Sequence, residues 1–103
     1  MGLPTSARDR KAEDKRSLVE RARAGDRDAW RSIYESTRPA IFRRLSYLVR
    51  DEALAEELTQ ETYVRALMGI EDYRGSSSLA TWLSGISMNL ARRSWRDGQV
   101  EGR

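Results

Sequence analysis

Apolar positions along this chain recur at helical steps and nowhere alternate as strands do. Trp30, Ile33, Tyr34, Thr37, Ile41, Leu45, Leu48 and Val49 return every three or four residues, the stripe of an amphipathic helix, with Asp26 placed to cap its start. Pro39 lies inside the stripe. Proline removes one backbone hydrogen bond and crowds the preceding turn, so a kink or break is expected near residues 36–38, and the unbroken phase favours a kink. Ahead of it, Ser17-Leu18-Val19-Glu20 has the form of a capping box and Gly25 supplies a stop, predicting a short helix over 17–24 that buries Leu18, Val19 and Ala22. A third helix runs from Asp51 to about 68–69, with Leu54, Ala55, Leu58, Thr62 and Ala66 on one side and Glu56, Glu57, Gln60, Glu61, Val64 and Met68 on the other. A fourth covers 79–96. Its core stripe is Leu79, Leu83, Ile86 and Leu90, and Thr81, Gly85, Asn89, Arg92 and Arg96 line another face, with Trp82 at one edge and Met88 and Trp95 at the other. Between the last two helices lies IEDYRGSSSL, rich in turn formers and carrying Tyr73; one of its serines caps the fourth helix. Residues 1–16 are polar and aperiodic and read as a disordered tail, and 98–103 as a frayed end or the start of a linker. The expected fold class is all-α, a compact domain of about four helices over 17–97.

Composition narrows what such a domain can do. A chain of 103 residues is large enough for one core. It has no Cys and no His, which removes disulfides, thiolate nucleophiles, the commonest general base and the commonest metal ligand. No enzyme activity, metal or cofactor is expected. No apolar run approaches the roughly 20 residues that span a bilayer, and MGLPTSARDRKAEDKR lacks the apolar centre of a secretory signal. The cytoplasm is therefore the default address, with no membrane insertion and no small-molecule substrate expected.

The formal net charge of +3 conceals a division. Residues 1–50 carry 13 basic and 7 acidic side chains, residues 51–75 carry 2 and 7, and residues 76–103 carry 4 and 2. A basic–acidic–basic chain suits two partners of opposite preference, one of them a nucleic acid; the plainer reading is three solvated helix faces. The same choice recurs locally. Tyr73 and Arg74 in a Gly/Ser loop, followed by Trp82, Asn89, Arg92, Arg93 and Arg96, supply the aromatic, amide and cationic groups that hold single-stranded bases. Alternatively the two aromatics are core residues and the arginines only solubilise. Glu56, Glu57 and Glu61 are favoured near a helix N-terminus without any partner, yet Val64 and Met68 set among them argue for a docking surface. Their carboxylates lack a nitrogen co-ligand and a recognisable pocket, which argues against acid–base or metal chemistry.

Three segments, in order, resemble region 2 of an extracytoplasmic-function (ECF) sigma factor, a bacterial transcription initiation factor. LVERARAGDRDAW resembles that family's opening helix and turn. AEELTQETYVRAL resembles its acidic-Leu-Thr-Gln-Glu segment, and DYRGSSSLATWLSGISMNLARRSWR its aromatic-Arg-Gly loop, the Thr-Trp-Leu start of the last helix and the Asn before a basic end. The resemblance covers about Ser17 to Asp97. It implies that Glu56, Glu57, Gln60 and Glu61, with Val64 nearby, dock on the clamp helices of the RNA polymerase β′ subunit. It implies that Tyr73, Arg74, Ser76, Ser77 and Ser78 capture a base flipped from the non-template strand of the promoter −10 element, beside Trp82 and with Asn89 lining the pocket. Arg92, Arg93 and Arg96 become backbone contacts. Unstacking a step costs roughly a few kcal/mol, which a stacking pocket can offset without chemical catalysis. An anti-sigma factor that covers the same surfaces is an implied partner. Two departures stand out: Ser84 and Gly85 occupy positions where the family usually has an aromatic and a basic residue, and the family's helix-turn-helix domain reading the −35 element does not follow within this sequence.

Two other functions remain open at this level. One is an interaction module that binds no DNA, a decoy that sequesters polymerase or an anti-sigma factor. The other, a double-stranded DNA regulator built on a helix-turn-helix, fits less well, because the Gly/Ser loop is longer than the turn of that motif.

Overall fold

The computed structural model describes residues 17–98. The tail expected over 1–16 and residues 99–103 of the expected frayed end lie outside them. Among the described residues the secondary structure is helical, without a strand: α1 (residues 17–23), α2 (Arg27–Val49), α3 (Glu52–Gly69), a 3-10 turn (Ile70–Asp72) and α4 (Leu79–Arg96). The all-α class read from the periodicity holds. The described residues divide into two compact units, one ending at Tyr34 and the other beginning at Glu35.

In the first unit α1 gives way to Gly25, whose φ of +94° suits a residue without a side chain. Val19, Ala22, Ala29 and Ile33 are buried, while Leu18 is half-buried rather than fully enclosed. Asp26 caps α2 as expected, its Oδ1 accepting from the backbone N–H of Asp28 at 2.9 Å and of Ala29 at 3.2 Å. Arg21 donates to its other oxygen at 2.9 Å. The Arg21 hydrogen bond, reinforced by the Ala29 amide, holds the Asp26 carboxyl below its ordinary 3.8. A carboxyl whose folded pKa is depressed stabilises fully above the ordinary value and loses that contribution as pH falls through the lower folded one. Far-UV circular dichroism over an acid titration is expected to show a component of helix loss that Asp26→Asn, which keeps a capping oxygen but cannot titrate, removes.

Pro39 sits within α2, yet the helix runs unbroken to Val49. In the second unit, Ile41, Leu45 and Val49 continue the buried stripe. Arg50, with φ of 53°, and Asp51 make the connection to α3, and Asp51 caps it by accepting from Leu54 N–H at 3.0 Å. The inner face of α3 comprises Leu54, Ala55, Leu58, Thr59, Thr62, Tyr63 and Ala66, and α3 packs against α4. The buried face of α4 is Leu83, Ser87, Leu90, Ala91 and Ser94. Leu79 and Ile86, expected in the core stripe, are only half-buried. The reason is size. Both buried faces are rich in small side chains, which lets helix axes approach closely, and the hydroxyls of Thr59, Thr62 and Ser87 bond to carbonyls of their own helices and so enter the core satisfied. Tyr63 ties α3 to α2 through its hydroxyl and that of Thr37.

Candidate functional site

The chain leaves α3 through the 3-10 turn, whose Ile70 is buried, and then forms the loop 73–78. Tyr73 is 9% exposed. Its ring lies 5.0 Å from that of Trp82, the planes tilted by 34°, and its hydroxyl donates to the Ser77 carbonyl. Gly75 turns the chain at φ +78°. Ser78 is the serine that caps α4, accepting from Thr81 N–H at 3.1 Å. Tyr73 thus spans its own loop and presents little open ring face. Arg74, Ser76 and Ser78 are exposed around it, Ser77 is half-buried, and Trp82 keeps part of its surface open. Past Trp82, the exposed Asn89, Arg93 and Arg96 repeat on the same side of α4, with exposed Arg92 next to Gly85.

The outer face of α3 is a second surface. Glu57 and Gln60 are exposed, and with them Val64 at 56%, Leu67 at 51% and Met68 at 79%. The apolar residues of α3 therefore sit on both of its faces, and the outer ones are not accounted for by folding. Glu61 pairs with Arg65 one turn on at 2.9 Å. Glu56 is drawn to α2, where Arg38 grips both carboxylate oxygens at 2.6 Å and lies over the Phe42 ring, 5.4 Å from its centroid. Both side chains of that bridge are partly solvated, which limits its worth. A double-mutant cycle on Arg38→Met and Glu56→Gln is expected to give a coupling of about 1 kcal/mol in denaturant unfolding.

Sequence reasoning placed Glu56, Glu57, Gln60, Glu61 and Val64 together, and of these Glu57, Gln60 and Val64 stand outward without an ion pair or hydrogen bond among the described residues. It passed over Leu67, which the spacing of 60, 64, 67 and 68 could have revealed. It also passed over the exposed side of α2, where Arg43 and Arg44 accompany Tyr47, 76% exposed. Among the described residues no group of three or more Cys, His or carboxylate side chains could hold a metal ion. No helix among them is long and apolar enough to cross a membrane.

The sequence family described as Sigma-70 region 2 matches residues 33–100. The ECF RNA polymerase sigma factor BldN of Streptomyces coelicolor is 41% identical over 75 residues, covering 71% of this chain and 28% of that protein. The RNA polymerase sigma-H factor of Pseudomonas aeruginosa is 30% identical over 80 residues, covering 78% of this chain and 42% of that protein. The ECF RNA polymerase sigma factor SigX of Bacillus subtilis is 31% identical over 64 residues, covering 62% of this chain and 33% of that protein. No solved structure gives a significant match. The chain belongs to the Sigma-70 region 2 family and is region 2 of an ECF sigma factor. Sigma factors are not enzymes. The chain spans well under half the length of these curated relatives.

Proposed function

We propose that this chain is the part of a transcription initiation factor that joins RNA polymerase to the promoter −10 element. Its polymerase surface is the outer face of α3, with Gln60 and Glu57 beside Val64, and Glu56 and Glu61 at the flanks. The partner is the pair of clamp helices of the β′ subunit. Its DNA surface is the loop 73–78 with the exposed side of α4. Arg74, Ser76, Ser77 and Ser78 surround a base flipped from the non-template strand, Trp82 offers it an apolar edge, Asn89 reads it, and Arg92, Arg93 and Arg96 hold phosphates. Tyr73 contributes by holding the loop in shape. The work is done in the cytoplasm, and an anti-sigma factor that covers either surface keeps the factor silent.

The observation that carries this reading is the exposure of Val64, Leu67 and Met68 on a helix whose other apolar face is already buried. Folding alone leaves that second face without a purpose, and a protein partner supplies one. For the DNA side, an amide that reads a base edge discriminates by roughly 1–3 kcal/mol, so Asn89→Ala is expected to reduce the preference for a −10 non-template oligonucleotide over a scrambled strand about ten-fold. The salt dependence of binding should stay unchanged, since no phosphate contact is lost. Equal loss on both strands would reduce the site to a nonspecific cationic surface. Retained polymerase binding without any DNA binding by the intact factor would make the chain a decoy.

A further inference from the structure

Sulfur in this chain is confined to thioethers. There is no Cys, and of the three Met residues Met68 and Met88 fall among the described residues. Met88 is half-buried on α4, whereas Met68, near the end of α3, is 79% exposed, the most open of the large apolar side chains described. Val64 lies one turn before it and Leu67 beside it, both exposed as well. Glu71 and Asp72, exposed in the following turn, give the surroundings a negative potential. That potential repels an anionic oxidant and leaves a neutral peroxide free to approach.

A thioether sulfur is soft and polarizable, and oxidation turns an apolar side chain into a polar, chiral sulfoxide. In the free chain a sulfoxide at position 68 faces water, so the fold is indifferent to it. In a docked complex the S=O dipole would lose that water without gaining a donor. The reactive atom is therefore the most accessible one on a face whose apolar character is its means of attachment.

We propose that Met68 is an oxidation site through which hydroperoxides weaken the docking of α3. The peroxide O–O bond breaks and one oxygen forms the S=O bond. Its proton passes to the departing hydroxide, which leaves as water, while the sulfur gives up two electrons to the peroxide. Methionine sulfoxide reductases, with a dithiol as reductant, return the thioether. The inference rests on the polymerase-docking reading above and adds a reversible modification to it.

The test treats the whole chain with hydrogen peroxide, removes the excess with catalase, and separates the methionines by trypsin into peptides 1–8, 66–74 and 75–92. Mass spectrometry is expected to find the added oxygen on 66–74 about ten-fold sooner than on 75–92. Titration into untreated RNA polymerase core enzyme is expected to show an affinity about ten-fold lower for the oxidised chain, with an unchanged circular dichroism spectrum. Methionine sulfoxide reductases A and B should restore it. Met68→Leu, whatever its own affinity, should bind alike before and after peroxide. Preferential oxidation of 75–92, a loss that persists in Met68→Leu, or a loss that the reductases do not reverse in a folded chain each overturns the proposal. If untreated and oxidised chains bind the polymerase equally well, docking stands and the oxidation site alone is refuted. If the untreated chain does not bind at all, both fall.

Discussion

Tyr73→Ala is expected to lower the unfolding free energy by about 3 kcal/mol, toward the lower end for deleting a buried aromatic, because the ring it removes is packed on Trp82. Tyr73→Phe should cost only about 1 kcal/mol, the worth of one hydrogen bond, because it keeps the ring contact and loses the bond to the Ser77 carbonyl. Denaturant unfolding separates the two. The functional readout separates two roles that the residue could play. A tyrosine acting as a stacking face for a base would be replaced by phenylalanine without loss. A tyrosine acting as a loop strut would not. The geometry favours the strut, so Tyr73→Phe is expected to bind the −10 strand about three-fold more weakly, with faster amide exchange at residues 76–78. Tyr73→Ala should bind more than ten-fold more weakly at a temperature where both variants are folded.

The second large effect is expected on α3. Val64→Asp combined with Met68→Asp places two charges on a surface that is open to water in the free chain, so the fold should be unaffected and the melting transition unchanged. In a docked complex the same charges would be desolvated without partners. Truncation of central interface residues commonly costs about 2 kcal/mol or more, and affinity for the polymerase β′ clamp helices is expected to fall about 100-fold. Gln60→Ala, a smaller change on the same face, should lower it about ten-fold. Undiminished binding in a titration of either variant would remove α3 from the interface.

Much of the scaffold was legible in the sequence because the signals that set it are local. Asp26, Asp51 and Ser78 cap helices through their own side chains, and Gly25 stops one through a backbone angle that other residues disfavour. The buried side of α4 was harder to read, because hydropathy weights Ile86 above Ser87. The phase of the buried face reverses that order: Ser87 falls at its centre with its hydroxyl returned to its own helix, and Ile86 falls at its edge. The acidic character of α3 was plain, but the engagement of Glu56 by Arg38 was not. A bridge across 18 positions depends on how two helices are set together, which no spacing within either one reveals. Tyr73 shows the same limit from the other side. Composition offered both a core residue and an open ring, and only the placement of Trp82 decides between them.

The loop between the 3-10 turn and α4 is held at both ends by bonds that ignore the identity of its middle. The Tyr73 hydroxyl takes a carbonyl, which any residue at position 77 would offer, and Ser78 binds the amide of Thr81. The shape of the loop is thereby separated from the chemistry at its tip. If the loop binds DNA as proposed, exchanges at Ser76 and Ser77 would alter what the tip prefers without disturbing the helices beneath or the face of α3. On that reading a module built in this way would diversify its ligand preference by small steps, each one tolerated by the fold, while its attachment to a common partner stayed fixed.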